Sequence, residues 1–136
     1  MTDLKIGEVA KQAGVNLQTI HYYERRGLLP RPPRTGSNYR VYAWDAVLRV
    51  RFIKHAQEIG FTLKEIEELL SLRATPRTRS VDVRNRAKVK VQEIDDKMRM
   101  LQAMRKRLTK LICECSGKGP VTQCPILDAL DSEEEG

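Results

Sequence analysis

"IGEVAKQAGVNLQTIHYYERRGLL", residues 6–29, decides the fold of this chain. Leu4, Ile6, Val9, Ala10 and Ala13 recur at helical spacing, and Gly14 stops the run. Asn16 has the chemistry of an N-cap, so a second helix is expected from about Leu17 to Arg26, ended by Gly27. Two short helices on either side of a tight turn with a glycine make a helix-turn-helix. In that motif the start of the second helix reaches base edges and the first helix crosses the backbone. Gln18, Thr19, His21 and Tyr22 are expected to face outward, with Ile20 and Tyr23 turned in. Arg25, Arg26, Arg34 and Arg40, with Lys54, are candidates for phosphate contacts, which give affinity but little sequence information.

Outward from this motif, "LLPRPPRTGSN" is too rich in Pro and Gly for a helix and reads as loop. "YRVY", residues 39–42, alternates and is expected to pair as a small strand or wing. Trp44, Val47, Leu48, Phe52, Ile53, Ala56 and Ile59 mark a third helix. Thr62 and Glu65 form a capping box for a fourth, which carries Leu63, Ile66, Leu69 and Leu70. After the linker "RATPRT" one long helix starts near Ser80. Its apolar positions Ala87, Val91, Ile94, Met98, Leu101, Leu108 and Ile112 step by four and three, with Arg105 the polar break. So small a chain cannot bury that stripe alone, so a second copy in a coiled coil is the expected partner. The organisation expected is a DNA-binding domain over 1–73, a linker and dimerisation helix over 74–112, and a loop, short helix and acidic tail over 113–136.

The chain has 136 residues and a net charge of +7. The basic excess lies on the body and the acid in the closing "DSEEEG", which suits a polyanion partner. No apolar run is long enough for a membrane span, and the start lacks a signal-peptide core. A cytoplasmic protein with reduced thiols is expected. No acid/base pair, nucleotide loop or nucleophile–His arrangement points to an enzyme. His55 reads as an ordinary helix-surface histidine.

All three cysteines fall in "CECSGKGPVTQCP", residues 113–125. Cys115 and Cys124 flank an eight-residue loop, "SGKGPVTQ", whose two Gly and one Pro allow a tight fold. Thiolates select soft ions such as Cu(I), Ag(I), Au(I) and Hg(II), for which two sulfurs suffice. Pro125 suits the first position of a short helix, with Cys124 at its start, where thiolate is favoured. Cys113, two residues before Cys115, points elsewhere on a helix and reads as a bystander near the site. Structural zinc wants four Cys or His ligands, and both histidines lie in the DNA-binding half.

Taken together, "IGEVAKQAGVNLQTIHYYERRGLL", "SNYRVY", "VRFIKHAQEIGFTLKEIEELLSL" and the long helix resemble the MerR family of bacterial transcription regulators. The resemblance runs from residue 4 to about 131. It implies a mainly α, winged helix-turn-helix homodimer joined by an antiparallel coiled coil. It implies promoter DNA and RNA polymerase as partners, and a switch from repression to activation by DNA distortion when an effector binds. Cys115 and Cys124 match the loop ligands of the family's metal sensors. Tyr39 and Arg40 match its wing residues, while His21 stands where the family commonly has Arg. Ser80 stands where sensors of divalent ions carry a third cysteine and where copper, silver and gold sensors carry Ser. A Ser there can cap the helix and hydrogen-bond a thiolate. Cu(I), Ag(I) or Au(I) is therefore the expected effector. The loop length and the Cys113–Cys115 pair instead resemble the mercury sensors, so Hg(II) stays open, as does oxidation of the thiols.

Overall fold

The computed structural model describes residues 3–132, so the last four residues of the acidic tail lie outside the described residues. The described residues form helices α1 (Ile6–Ala13), α2 (Leu17–Arg25), α3 (Trp44–Glu58), α4 (Leu63–Ala74), α5 (Ser80–Glu114) and α6 (Pro125–Asp131). A single 3₁₀ turn, Val121–Gln123, precedes α6. Contacts divide the chain into two compact units after Arg86.

The helix ends obey the local chemistry of the sequence. Gly14 closes α1 with φ 73°, a left-handed conformation that costs a β-carbon-bearing residue energy. Asn16 caps α2: its Oδ1 accepts from the Thr19 N–H at 2.8 Å. Thr62 and Glu65 exchange the two bonds of a capping box, at 2.8 and 3.2 Å. At the start of α5 the side-chain contact is made by Asp82, whose carboxylate accepts from the Arg79 N–H at 3.0 Å. Ser80 was expected to cap, but it is already the first helical residue, one position too late. Asn16→Ala is expected to cost about 1 kcal/mol, read as a lower urea midpoint with an unchanged slope.

The core of the first unit gathers Val9 and Ala13 from α1, Ile20 and Tyr23 from α2, and Leu28 and Leu29 from the turn after it. Val47, Val50, Ile53 and Ala56 of α3 and Ile66 and Leu70 of α4 complete it. Tyr23 and Ile20 thus point inward, as expected. The apolar residues of α3 divide between two faces. Trp44 and Leu48, assigned to the buried stripe from their spacing, are exposed. Trp44 instead lies under the Arg51 guanidinium, 5.4 Å from its ring centre.

"YRVY" does not become a strand. Among the described residues pairing stops at two isolated antiparallel bridges, Arg34 with Arg40 and Leu4 with Tyr42. The hairpin is closed by the Thr35 N–H bonding to Tyr39 O at 2.7 Å, and Asn38 takes φ 66°. Pro30, Pro32 and Pro33 leave too few N–H donors on the approach to extend a ladder. The wing is therefore a loop held by single bridges and side chains.

In the second unit α5 exposes its apolar stripe. Val91, Met98, Leu101, Leu108 and Ile112 are each more than half exposed, and Ile94 is 41% exposed.

Candidate functional site

On α2, Gln18, His21, Tyr22 and Arg25 follow one another at i, i+3, i+4 and i+7, and all four are exposed. They form the outward face of the second helix. Tyr22 is flanked by two guanidinium groups, those of Arg25 and Arg26, each just under 6 Å from its ring centre. Thr19 has a different task. Its hydroxyl donates to Asn16 Oδ1 at 2.9 Å, so it belongs to the cap. Lys54 also turns to structure, its Nζ donating to the Gly14 carbonyl at 3.2 Å across the helix-turn-helix.

Between α2 and the wing lies a cleft of about 350 Å³, into which His21, Arg25, Arg34, Tyr39 and Arg40 converge. The Arg40 guanidinium donates to Pro32 O at 2.9 Å and that of Arg34 to Asn38 O at 3.2 Å. Both residues line the cleft. The exposed Tyr39 ring carries Lys5 Nζ 4.8 Å from its centre. Among the charged residues of this cleft, two were missed in the sequence, Arg31 and Glu24. Arg31 was hidden in the Pro-rich loop. Glu24 had one signal, a lone acid in "HYYERR". The Glu24 side chain is only 2% exposed, and it accepts the Tyr42 hydroxyl proton at 2.7 Å. That bond, and burial before it, push the Tyr42 phenol well above its ordinary range.

The second candidate site closes over the end of α5. The Cys115 N–H bonds to Leu111 O and Ile112 O, at 3.1 and 3.2 Å, holding Cys115 directly behind the helix. Gly117 and Gly119 then take φ 77° and 88°, which turns the chain back. After the 3₁₀ turn, Cys124 becomes the N-cap of α6, with Pro125 at its first position. The reversal brings Cys115 back near Cys124, close enough for its side chain to help lower the Cys124 thiol. The Cys124 thiol is lowered below its ordinary range. The Leu127 N–H is the largest cause, with the Ile126 N–H and Cys115 assisting against desolvation and the Asp128 carboxylate. Both cysteines are half-buried, while Cys113 is an exposed residue on α5. Among the described residues no group of three His, Cys, Asp or Glu side chains forms a metal site. Two neighbouring soft sulfurs fit a soft ion of low coordination number and suit a hard or octahedral one poorly.

A helix-turn-helix with a wing, an outward helix face and an arginine-lined cleft defines a DNA-binding transcription regulator, not an enzyme. Residues 4–72 match the model of the MerR HTH family of regulatory proteins, and residues 47–111 match the MerR DNA-binding model. The chain belongs to the MerR family. It is 39% identical over 126 residues to a mercuric resistance operon regulatory protein of Bacillus cereus, covering 93% of this chain and 96% of that one. The lead(II)-bound transcription regulator of Ralstonia metallidurans superposes with a TM-score of 0.83 at 33% identity, over 93% of this chain and 98% of that one. The mercury(II)-bound regulator of Bacillus megaterium gives 0.71 at 34% identity, over 95% and 100%. Among the described residues no helix is long and apolar enough to cross a membrane.

Proposed function

We propose that this chain is a metal-responsive regulator that binds promoter DNA as a homodimer. A soft ion held by Cys115 and Cys124 turns it from repression to activation at RNA polymerase. The observation that carries the reading is the approach of Cys115 to Cys124 across the eight-residue loop between them, with Cys124 biased toward thiolate. DNA contacts are assigned to Gln18, His21, Tyr22 and Arg25 on α2 and to Arg34, Tyr39 and Arg40 around the cleft. Thr19 and Lys54 support that surface from behind. The homodimer is supported by the exposed stripe of α5. Leu127 and Leu130 of α6 are 50% and 72% exposed. Packed on a partner's α5, they couple the thiol loop to the coiled coil, so the switch is a two-state dimer biased by a ligand.

For the ion, Ser80 supports Cu(I), Ag(I) or Au(I). A serine hydroxyl is a poor ligand for a soft ion, and two thiolates satisfy a monovalent one. A second reading, Hg(II), is favoured by the relatives, one named for mercuric resistance and one solved with mercury(II). An anaerobic titration of the promoter-bound protein separates them, with Cu(I) and Hg(II) each buffered by a chelator and transcription as readout. Activation by buffered Cu(I) with little response to Hg(II) is expected. Activation by Hg(II) alone would replace the monovalent ion with the divalent one. Activation by mild oxidant with loss of two titratable thiols would remove the metal from the proposal.

A further inference from the structure

The DNA-facing cleft contains a buried charge that the reading above does not use. Glu24 is the one carboxylate in a cleft with four arginines, Arg25, Arg31, Arg34 and Arg40. A buried carboxylate is costly unless it is paired, and this one is paired on several sides. Its Oε2 takes the Tyr42 hydroxyl at 2.7 Å. Its Oε1 lies 3.4 Å from His21 Nδ1 and 3.9 Å from Arg31 Nε. Those partners come from the recognition helix, the Pro-rich loop and the end of the wing. His21 and Arg31 are about half exposed, at 51% and 47%. Glu24 thus holds their inner edges and leaves their outer edges to a ligand.

For His21 this fixes which nitrogen is free. Nδ1 faces the carboxylate, which favours a proton there and leaves Nε2 as the outward edge. A neutral ring in that tautomer presents a lone pair at Nε2 and cannot donate to a phosphate oxygen. Only the imidazolium can. The charges facing His21 are Glu24 and Arg25 on its own helix and Arg31, Arg34 and Arg40 from the loop and wing. Tyr39 and Tyr42 line the cleft beside it, and α1 contributes the uncharged Ile6. Bound DNA adds phosphate charge beside this ring, which favours its imidazolium form.

We propose that Glu24 is the positioning residue of the DNA interface: it aims His21 Nε2 at the DNA, so each protomer takes a proton from solvent onto that nitrogen when it binds. This rests on the DNA-binding reading of the cleft. The sign follows from linkage: if the bound state holds more protons, affinity rises as pH falls.

The test uses the full chain, metal-free, and a duplex selected with the wild-type protein from a random-sequence pool. Fluorescence anisotropy is read between about pH 8 and pH 6.5, with calorimetry in two buffers of different ionisation heat. The wild type is expected to tighten about tenfold on acidification and to show net proton uptake. H21R is expected to bind tightly with no pH dependence, and the surface variant H21Q weakly with none. E24Q keeps an amide oxygen for Tyr42 and so keeps the fold, but is expected to lose at least half of the pH dependence. A wild-type slope equal to that of H21Q would overturn the proposal. So would an E24Q protein that binds weakly with the slope unchanged, because Glu24 would then be structural only. Failure to select any duplex at any pH would instead overturn the DNA-binding reading itself.

Discussion

Cys115→Ser and Cys124→Ser should each abolish the transcriptional response to a soft metal while leaving promoter binding intact. Each change removes one of two neighbouring thiols, and no third ligand among the described residues stands ready to replace it. Loss of a supporting residue around a metal site already lowers affinity by about 10- to 100-fold. Loss of one of two ligands should exceed that. The expected result is a shift of more than about 100-fold in the buffered metal concentration giving half-maximal transcription, or no response at all. DNA affinity without metal should stay within about twofold, because the thiol loop lies in the second unit and the DNA face in the first. Cys113→Ser, on the exposed helix surface, should leave the response unchanged. Alkylation gives an independent check. Because the Cys124 thiol is held low, its thiolate persists to lower pH, so iodoacetamide should still modify it at pH values where an ordinary cysteine thiol has stopped reacting. Full metal response in Cys115→Ser would refute the two-thiol site.

The other large effect belongs to α5. Leu101→Asp should break the dimer. Leu101 is 58% exposed in the single chain, and the stripe around it has no cover from its own chain. Burying a leucine is worth about 1.5–3 kcal/mol, and a symmetric dimer buries it twice. An aspartate there also places like charges near each other in a desolvated seam. A loss of more than about 4 kcal/mol is expected, so the dimer dissociation constant should rise by about 1,000-fold or more. Sedimentation equilibrium reads that constant directly. Binding to a duplex with two half-sites should fall with it, since each monomer reaches only one. Arg105→Leu fills the polar break of the same stripe and should tighten the dimer. A dimer unaffected by Leu101→Asp would move the interface off α5.

Much of this protein was legible residue by residue, because helix ends are decided locally. A glycine that alone tolerates positive φ, an asparagine able to accept from the third N–H, and a Thr–Glu pair at the right spacing act within one turn of chain. Gly14, Asn16 and the Thr62–Glu65 box fall where their chemistry required. Cys124 and Pro125 open α6 for the same reason. The apolar periods also placed Ile20, Ile53 and Ile66 in the core.

What depended on distant residues stayed hidden until the chain was folded. Period alone grouped Trp44 and Leu48 with the buried face of α3, but which side of a helix is covered depends on its neighbours. Thr19 and Lys54 look like DNA ligands in sequence, and only folding shows the partners each also holds, Asn16 and the Gly14 carbonyl. Glu24 is the clearest case. A charged residue in a basic stretch reads as surface, because its cost of burial is met only by partners distant in sequence, such as Tyr42. The cysteines divide the matter evenly: their spacing announced a soft-ion loop, and only the reversal at Gly117 and Gly119 brought Cys115 back near Cys124.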